Sequence, residues 1–455
     1  MTPLYILWDE SQIWGVLVAR AARAMGIPYA LVRSGDMASG LLRKRPPSLF
    51  VVPGGSARHK AETLSVGGME AVRSYVDQGG HYLGFCGGAG LALSAANGTD
   101  ALGLCPWQRG RFDDRLQHFM SGHMFVNLAE PLMSQDVTPS VSPEAHATAD
   151  APVLPVWWPG RFASTDCPEV TVLASYARPA QDFWLADLPI ADFPPDIFDT
   201  WQDLYGLSVS PTFLAGQPCV VQGTYGKGSY ILSYSHLETP DSPFANRWLA
   251  HILRTLCGFE LDGNPLPPWD VQTTPAVWED PELAVMDQAF NCVLQTGLKH
   301  GLFFERTRWL FGWRTGIPGA NLNNLWTALS AIREREPDDA ALRFWKTHKS
   351  RIAEAAVLFC QGVEQYLLSE RLALTLLKTL PDTLPQGLLK DRREALFGPP
   401  MHAGGLYREL IHVLDELAFM QLQAEASRPD SGEAPPPQTP PAGDVVPCTR
   451  KFLKN

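Results

Sequence analysis

The sequence predicts an α/β domain built on a parallel sheet and followed by an all-α helical domain, and three observations carry that prediction. Short apolar runs alternate with helical stretches over residues 4–100, a cysteine stands among glycines where one run meets a helix, and beyond residue 275 the chain turns to helix formers. Strands separated by helices pair in parallel, because each intervening helix carries the chain back across the sheet.

The apolar runs are 4–8, 29–32, 48–52 and 81–85, with helices predicted over 12–25 and 68–78 and a small-residue helix over 91–96. Residues 104–183 form a large insertion rich in proline and tryptophan. Residues 206–221 return the chain to the sheet, Gly226-Lys227-Gly228 makes a tight turn into a strand over 230–234, and a helix over 244–256 closes a domain spanning 1–262. Pro265, Pro267 and Pro268 break regular structure in a linker over 263–275. Helices follow over 282–297, 325–334, 339–378 with an interruption, and 406–424, making a helical domain of 276–425. The last carries Leu406, Leu410, Val413, Leu414, Leu417 and Met420 at three- and four-residue spacing, an amphipathic stripe. Residues 426–455, rich in Pro, Ser, Gly and acid, read as a disordered tail.

Composition bounds the function. The 455 residues are enough for two or three domains, and 45% hydrophobic content is enough for full cores. A formal charge of −11 without long Lys/Arg runs argues against nucleic acid. Eight scattered cysteines with no CxxC pair suit a reducing compartment. The N-terminus has no basic region and meets acid at Asp9, so it reads as a first strand and not a secretion signal. No stretch of 18 apolar residues is present to span a membrane. A cytoplasmic protein is expected.

The chemistry concentrates in Gly84-Phe85-Cys86-Gly87-Gly88-Ala89-Gly90. A side chain presented on a sharp strand-to-helix turn needs small neighbours, and a helix N-terminus favours a thiolate. A cysteine beside glycines is also common in plain α/β cores. What separates the two readings lies downstream, where the strand over 230–234 runs into His236 and Glu238. A thiol needs a base at neutral pH, and the base needs a carboxylate to hold its tautomer. Cys86, His236 and Glu238 supply those roles in order.

These residues resemble the class I glutamine amidotransferase-like superfamily, with its G-x-C-x-G nucleophile motif and late H-x-E. The branch they are most similar to is the N-terminal domain of biotin-protein ligases, through Val51-Val52-Pro53-Gly54-Gly55, Gly80 to Gly88, and Gly226 to Glu238. The resemblance covers about residues 1–260 and implies a flavodoxin-like sheet, a thioester intermediate and glutamine as the usual substrate. It also implies an oxyanion hole from the amides of Gly55 and Gly87, with Gly54 beside them. The sequence departs from the pattern in two places. Cys86 and His236 stand 150 residues apart because of the insertion, and Leu237 fills the place of a small residue between His and Glu. Gly87 stands where the intracellular-protease branch has histidine, which argues against a protease-like member.

Other candidates are weaker. Asp9 and Glu10 end the first strand, where they line the site mouth or simply face solvent. Trp157-Trp158-Pro159-Gly160-Arg161-Phe162 has two readings, a ligand clamp with Arg161 on a carboxylate, or aromatics covering the domain's own edge. His118 and His123, near Asp113 and Asp114, lack a third ligand, and no metal or other cofactor is expected. The aromatic and arginine-rich stretch 302–314 reads as a helix packed on the first domain, or as a partner face.

Three function classes follow: a thiol amidohydrolase or amidotransferase acting on a small amide, a non-catalytic ligand-binding module with a helical partner-binding domain, and a biotin ligase. The last is disfavoured, because Arg109-Gly110-Arg111 is too short for a ligase's glycine–arginine loop. The helical half has no phosphate-binding loop, so a synthetase receiving ammonia would be a separate chain.

Overall fold

A computed structural model of the chain describes residues 2–94, 101–110, 120–129, 152–164, 167–206, 210–261, 264–377, 379–380, 386–399 and 403–426. The chain divides into two compact units, Met1–Pro268 and Trp269–Asn455.

In the first unit, strands β1 (Leu4–Leu7), β2 (Tyr29–Val32), β3 (Leu49–Val52) and β4 (His81–Phe85) alternate with helices α1 (Ile13–Ala24), α2 (Ser34–Ala38), α3 (Leu41–Lys44) and α4 (Ala57–Asp77). Helix α5 (Gly87–Ala92) follows β4 at once. The remaining strands of the sheet begin with β6 (Met120–Leu128), β7 (Val153–Trp157) and β9 (Thr171–Pro179), while β5 (Gln108–Arg109) and β8 (Phe162–Ala163) pair separately. The sheet is completed by β10 (Trp184–Leu185), β11 (Leu188–Pro189), β12 (Pro218–Tyr225) and β13 (Gly228–Ser233).

Five strands run parallel in the order β2-β1-β3-β4-β13. That is the flavodoxin-like order, with its switch point between β1 and β3. Beyond β13 the sheet continues antiparallel through β12, β9, β6, β10 and β11. The described part of the Pro- and Trp-rich insertion therefore extends the sheet through β6, β7 and β9. Two of its pairings, β9 with β12 and β6 with β9, carry register shifts.

The parallel strands are short apolar runs because both faces are covered. Tyr5, Leu7, Phe50, Val52, Tyr82, Tyr230 and Leu232 pack with Leu64, Met69, Val72 and Val76 of α4 and Ala89 and Leu91 of α5. The alternate residues Ile6, Val51, Leu83 and Ile231 point to the other face and are equally buried. Helix α4 starts well before the predicted residue 68: Ser56 caps it by accepting from the His59 N–H, and it kinks at Ser65, φ +59°. Helix α5 starts before the predicted 91, directly at the cysteine.

The second unit is mainly helical: Pro281–Lys299, Gly319–Arg333, Asp339–Leu376, Gln386–Phe397 and Gly405–Ala426. Residues 302–314 contradict the predicted helix, forming a hairpin of β14 (Phe303–Glu305) and β15 (Phe311–Trp313) within this unit. The cause is aromatic packing: the Phe303 and Phe311 rings meet across the hairpin, centroids 4.8 Å apart, and Phe311 meets Trp326 at 5.7 Å. The helix expected to be interrupted runs unbroken over Asp339–Leu376, and its Gly362 gives room to Leu396. The amphipathic stripe buries Leu410, Val413, Leu414 and Leu417 as its spacing predicts. Residues 427–455, read as a disordered tail, lie outside the described residues.

Among the described residues, no helix is long and apolar enough to cross a membrane. Cys86, Cys105, Cys167, Cys219, Cys257 and Cys360 are free thiols.

Candidate functional site

Cys86 sits on an elbow. Its φ of +47° and ψ of −103° are a conformation that L residues avoid, and such strain is found at functional turns. Two backbone hydrogen bonds hold it there, from its N–H to Ser233 O on β13 (2.7 Å) and from Gly90 N–H to its own carbonyl (2.9 Å). The flanking glycines are dictated by close approach. A Cβ on Gly87 would stand 1.9 Å from the Gly55 carbonyl oxygen, and one on Gly88 2.0 Å from that of Val52. No other residue fits between the elbow and the β3 turn. The same contact sets the Gly55 and Gly87 backbones side by side, and Gly87 opens α5, where the first N–H groups have no intrahelical acceptor.

His236 and Glu238 follow just past the end of the neighbouring strand, β13. Leu232 and Ser233 pair in register with Gly84 and Phe85, so β4 and β13 end together. The expected strand stops at Ser233, whose hydroxyl donates to Ser235 O (2.6 Å) and accepts from Ser235 N–H (3.1 Å), turning the chain. His236 N–H then binds Pro155 O at 2.9 Å, and Asn246 donates to the carbonyls of Leu237 and Thr239, both at 2.9 Å. Leu237 is fully buried, so the residue that departs from the family pattern serves as a core side chain.

In this frame His236 Nδ1 and Glu238 Oε1 are 2.7 Å apart and both side chains are fully buried. Burial by itself lowers the His236 pKa, but Glu238 and Cys86 beside it outweigh that and raise it from 6.5 to about 10. Nδ1–H donates to the carboxylate, which leaves Nε2, buried and without a hydrogen bond among the described residues, for the sulfur side. Cys86 is half-buried, so the sulfur is the accessible member.

Aromatic rings that the sequence did not assign to the site surround it. Trp14, from the start of α1, lies over the His236 ring with centroids 4.2 Å apart and planes at 33°. Trp158 meets Trp14 edge-on at 5.8 Å. The Trp-rich motif thus reaches the histidine through Trp158, while Trp157 is core and donates to Thr239 Oγ1 at 3.2 Å. Tyr234 is buried beside Cys86 and Arg109; burial pushes its phenol up, and Arg109 pulls it partly back. A helical period predicts α1 but not the direction of one tryptophan, so Trp14 had no signal in the sequence.

The weaker candidates fall elsewhere. Asp9 turns to the β2–α2 loop: Oδ2 accepts from Ser34 N–H at 2.6 Å, and Oδ1 pairs with Arg33 at 3.3 Å. Arg161 is half-buried, its stem lying along Gly110 and its carbonyl accepting from Gly110 N–H at 2.9 Å. His123 binds Asp182 through Nδ1 (2.7 Å) and Ser242 through Nε2 (3.2 Å). His118, Asp113 and Asp114 lie outside the described residues. Among the described residues, no group of three His, Cys, Asp or Glu is placed to hold a metal ion.

Residues 44–97, which carry β3, the Gly54-Gly55 turn and the elbow, match the family described as biotin-protein ligase, N terminal. The resemblance read from the motifs therefore holds on this segment, and the fold is α/β, flavodoxin-like, followed by a helical region. No curated protein matches the chain. Among solved structures, a GMP synthase subunit-type protein of Thermoplasma acidophilum is 15% identical, covering 57% of this chain and 94% of that one, TM-score 0.33. A ThuA-like protein of Bacteroides uniformis is 13% identical over 58% of this chain and 94% of its own, TM-score 0.32. A β-galactosidase of Bacillus circulans is 12% identical over 59% of this chain and 32% of its own, TM-score 0.33. At such scores the three likenesses carry no argument about function.

Proposed function

We propose that the first unit is a thiol amidohydrolase or amidotransferase-type enzyme acting on a small amide such as glutamine. One observation carries it: a fully buried His236–Glu238 pair stands beside a strained, half-buried Cys86 at the joint ends of β4 and β13. A buried ion pair is costly to maintain and is common where a pKa is tuned for chemistry. With the His236 pKa raised to about 10, the ring is imidazolium at neutral pH and stands beside the Cys86 sulfur.

The steps balance on these residues. The Cys86 thiolate attacks the amide carbonyl, and the oxyanion forms between the N–H groups of Gly55 and Gly87. His236 gives its Nε2 proton to the leaving nitrogen, ammonia departs, and a thioester remains. Neutral His236 then takes a proton from water as the hydroxide adds to the thioester, and collapse frees the acid and restores thiolate and imidazolium. Glu238 holds the ring orientation throughout. Ammonia would pass to a separate synthetase, with the helical unit as the partner-binding part.

The test is site-resolved alkylation of Cys86 by iodoacetamide across pH, in the native chain and in His236→Ala, followed by ammonia release from glutamine and related amides. Fast alkylation below pH ~7 that depends on His236 supports the proposal. A Cys86 that ionises near the free-thiol value of ~8.5 with or without His236 sinks it and favours a binding module.

A further inference from the structure

Lys60 of α4 is fully buried, an unusual place for lysine. Its Nζ donates to Asp9 O at 3.1 Å and to Ser11 Oγ at 2.5 Å, and Ser11 Oγ donates onward to Leu7 O at 2.8 Å. These bonds hold the loop that leaves β1 at the sheet's switch point. That loop is strained, with Glu10 at φ +57° and Gln12 at φ +48°, both outside the range L residues favour.

What the loop touches gives Lys60 a purpose. The Glu10 carbonyl oxygen lies 2.2 Å from where a Cβ of Gly55 would be, and Lys60 Cε lies 3.5 Å from the same point. Immediately after the loop, Trp14 lies over His236. The ammonium is thus bonded to the segment that backs Gly55 on one side and carries Trp14 on the other. An apolar side chain would fill a core position without the desolvation cost of a charge.

We propose that Lys60 is a positioning residue: its ammonium clamps the loop over 9–12 so that the Glu10 carbonyl fixes Gly55, and with it one donor of the oxyanion hole. This rests on the thiol acyl-transfer function proposed above and adds a residue to it.

The experiment compares two reactions of Cys86 in the full chain. Alkylation by iodoacetamide displaces iodide at a methylene carbon and forms no oxyanion. Acylation by p-nitrophenyl acetate forms one, which collapses to S-acetyl-Cys86 and p-nitrophenolate. Lys60→Met, close in length but uncharged, is expected to keep its alkylation rate within about twofold while acylation falls at least ~10-fold. Ser11→Ala, which removes one acceptor of the clamp, is expected to show the same split at smaller size, and it decides the matter alone should Lys60→Met not fold. Equal falls in both reactions, or no change in either, overturn the assignment of Lys60. A wild-type chain showing neither low-pH alkylation nor acylation defeats the thiol function itself, a failure distinguished by its appearance without any substitution.

Discussion

Glu238→Gln keeps the shape of the buried side chain, and an oxygen to accept from His236 Nδ1–H, while deleting the charge. Burial depresses the His236 pKa; Glu238 is the first of the influences that overcome it, followed by Cys86, and together they raise it from 6.5 to about 10. That interval corresponds to something on the order of 5 kcal/mol, at ~1.36 kcal/mol per pH unit. Without the carboxylate, burial pulls the ring toward its neutral form. Alkylation of Cys86 at pH 6 is then expected to fall at least ~10-fold, read by mass spectrometry. Stability follows the same linkage. A histidine raised in the folded state contributes fully below its unfolded value of ~6.5, and the contribution is lost as pH rises through about 10. The native chain should therefore lose a few kcal/mol of unfolding free energy between those limits, measured by urea denaturation at fixed pH steps. Glu238→Gln should be nearly flat across that window. Equal slopes, together with an unchanged alkylation profile, would refute the buried ion pair.

Three further outcomes are expected. Gly87→Ala puts a Cβ against the Gly55 carbonyl, which should cost ~1–3 kcal/mol in thermal unfolding and lower p-nitrophenyl acetate acylation by ~100-fold. Trp14→Ala empties the face of His236 and should lose ~3–5 kcal/mol, whereas Trp14→Phe, which keeps a ring there, should retain most of the stability; denaturant titration separates them. In the second unit, Asp338 caps the long helix by accepting from Ala341 N–H at 2.7 Å, so Asp338→Ala should cost ~0.5–2 kcal/mol by the same titration and leave Cys86 chemistry unchanged.

The parallel half of the sheet was legible because its strands are buried on both faces and read as apolar runs. Glycines forced by backbone contact advertised the elbow, as at Gly87 and Gly88. The long-range neighbours were not legible. Trp14, Lys60 and Tyr234 are ordinary residues in sequence, and only tertiary packing brings Trp14 onto His236, Lys60 onto the loop over 9–12 and Tyr234 beside Cys86. Residues 302–314 misled for a similar reason: five aromatics and three arginines fit a helix face as well as a hairpin, and the Phe303–Phe311 contact that decides between them is tertiary.

The pairing of β4 with β13 also orders events in time. The elbow strand is synthesised early, but β13, which leads into His236, lies past the whole insertion, and closing so long a loop is a slow step in folding. A chain emerging from the ribosome would hold its cysteine as an ordinary thiol until β13 zips into the gap beside β4. Fast alkylation of Cys86 below pH ~7 would then report completion of the sheet, while protection of the buried Cys105, Cys219 and Cys360 would report the closing of the core around them.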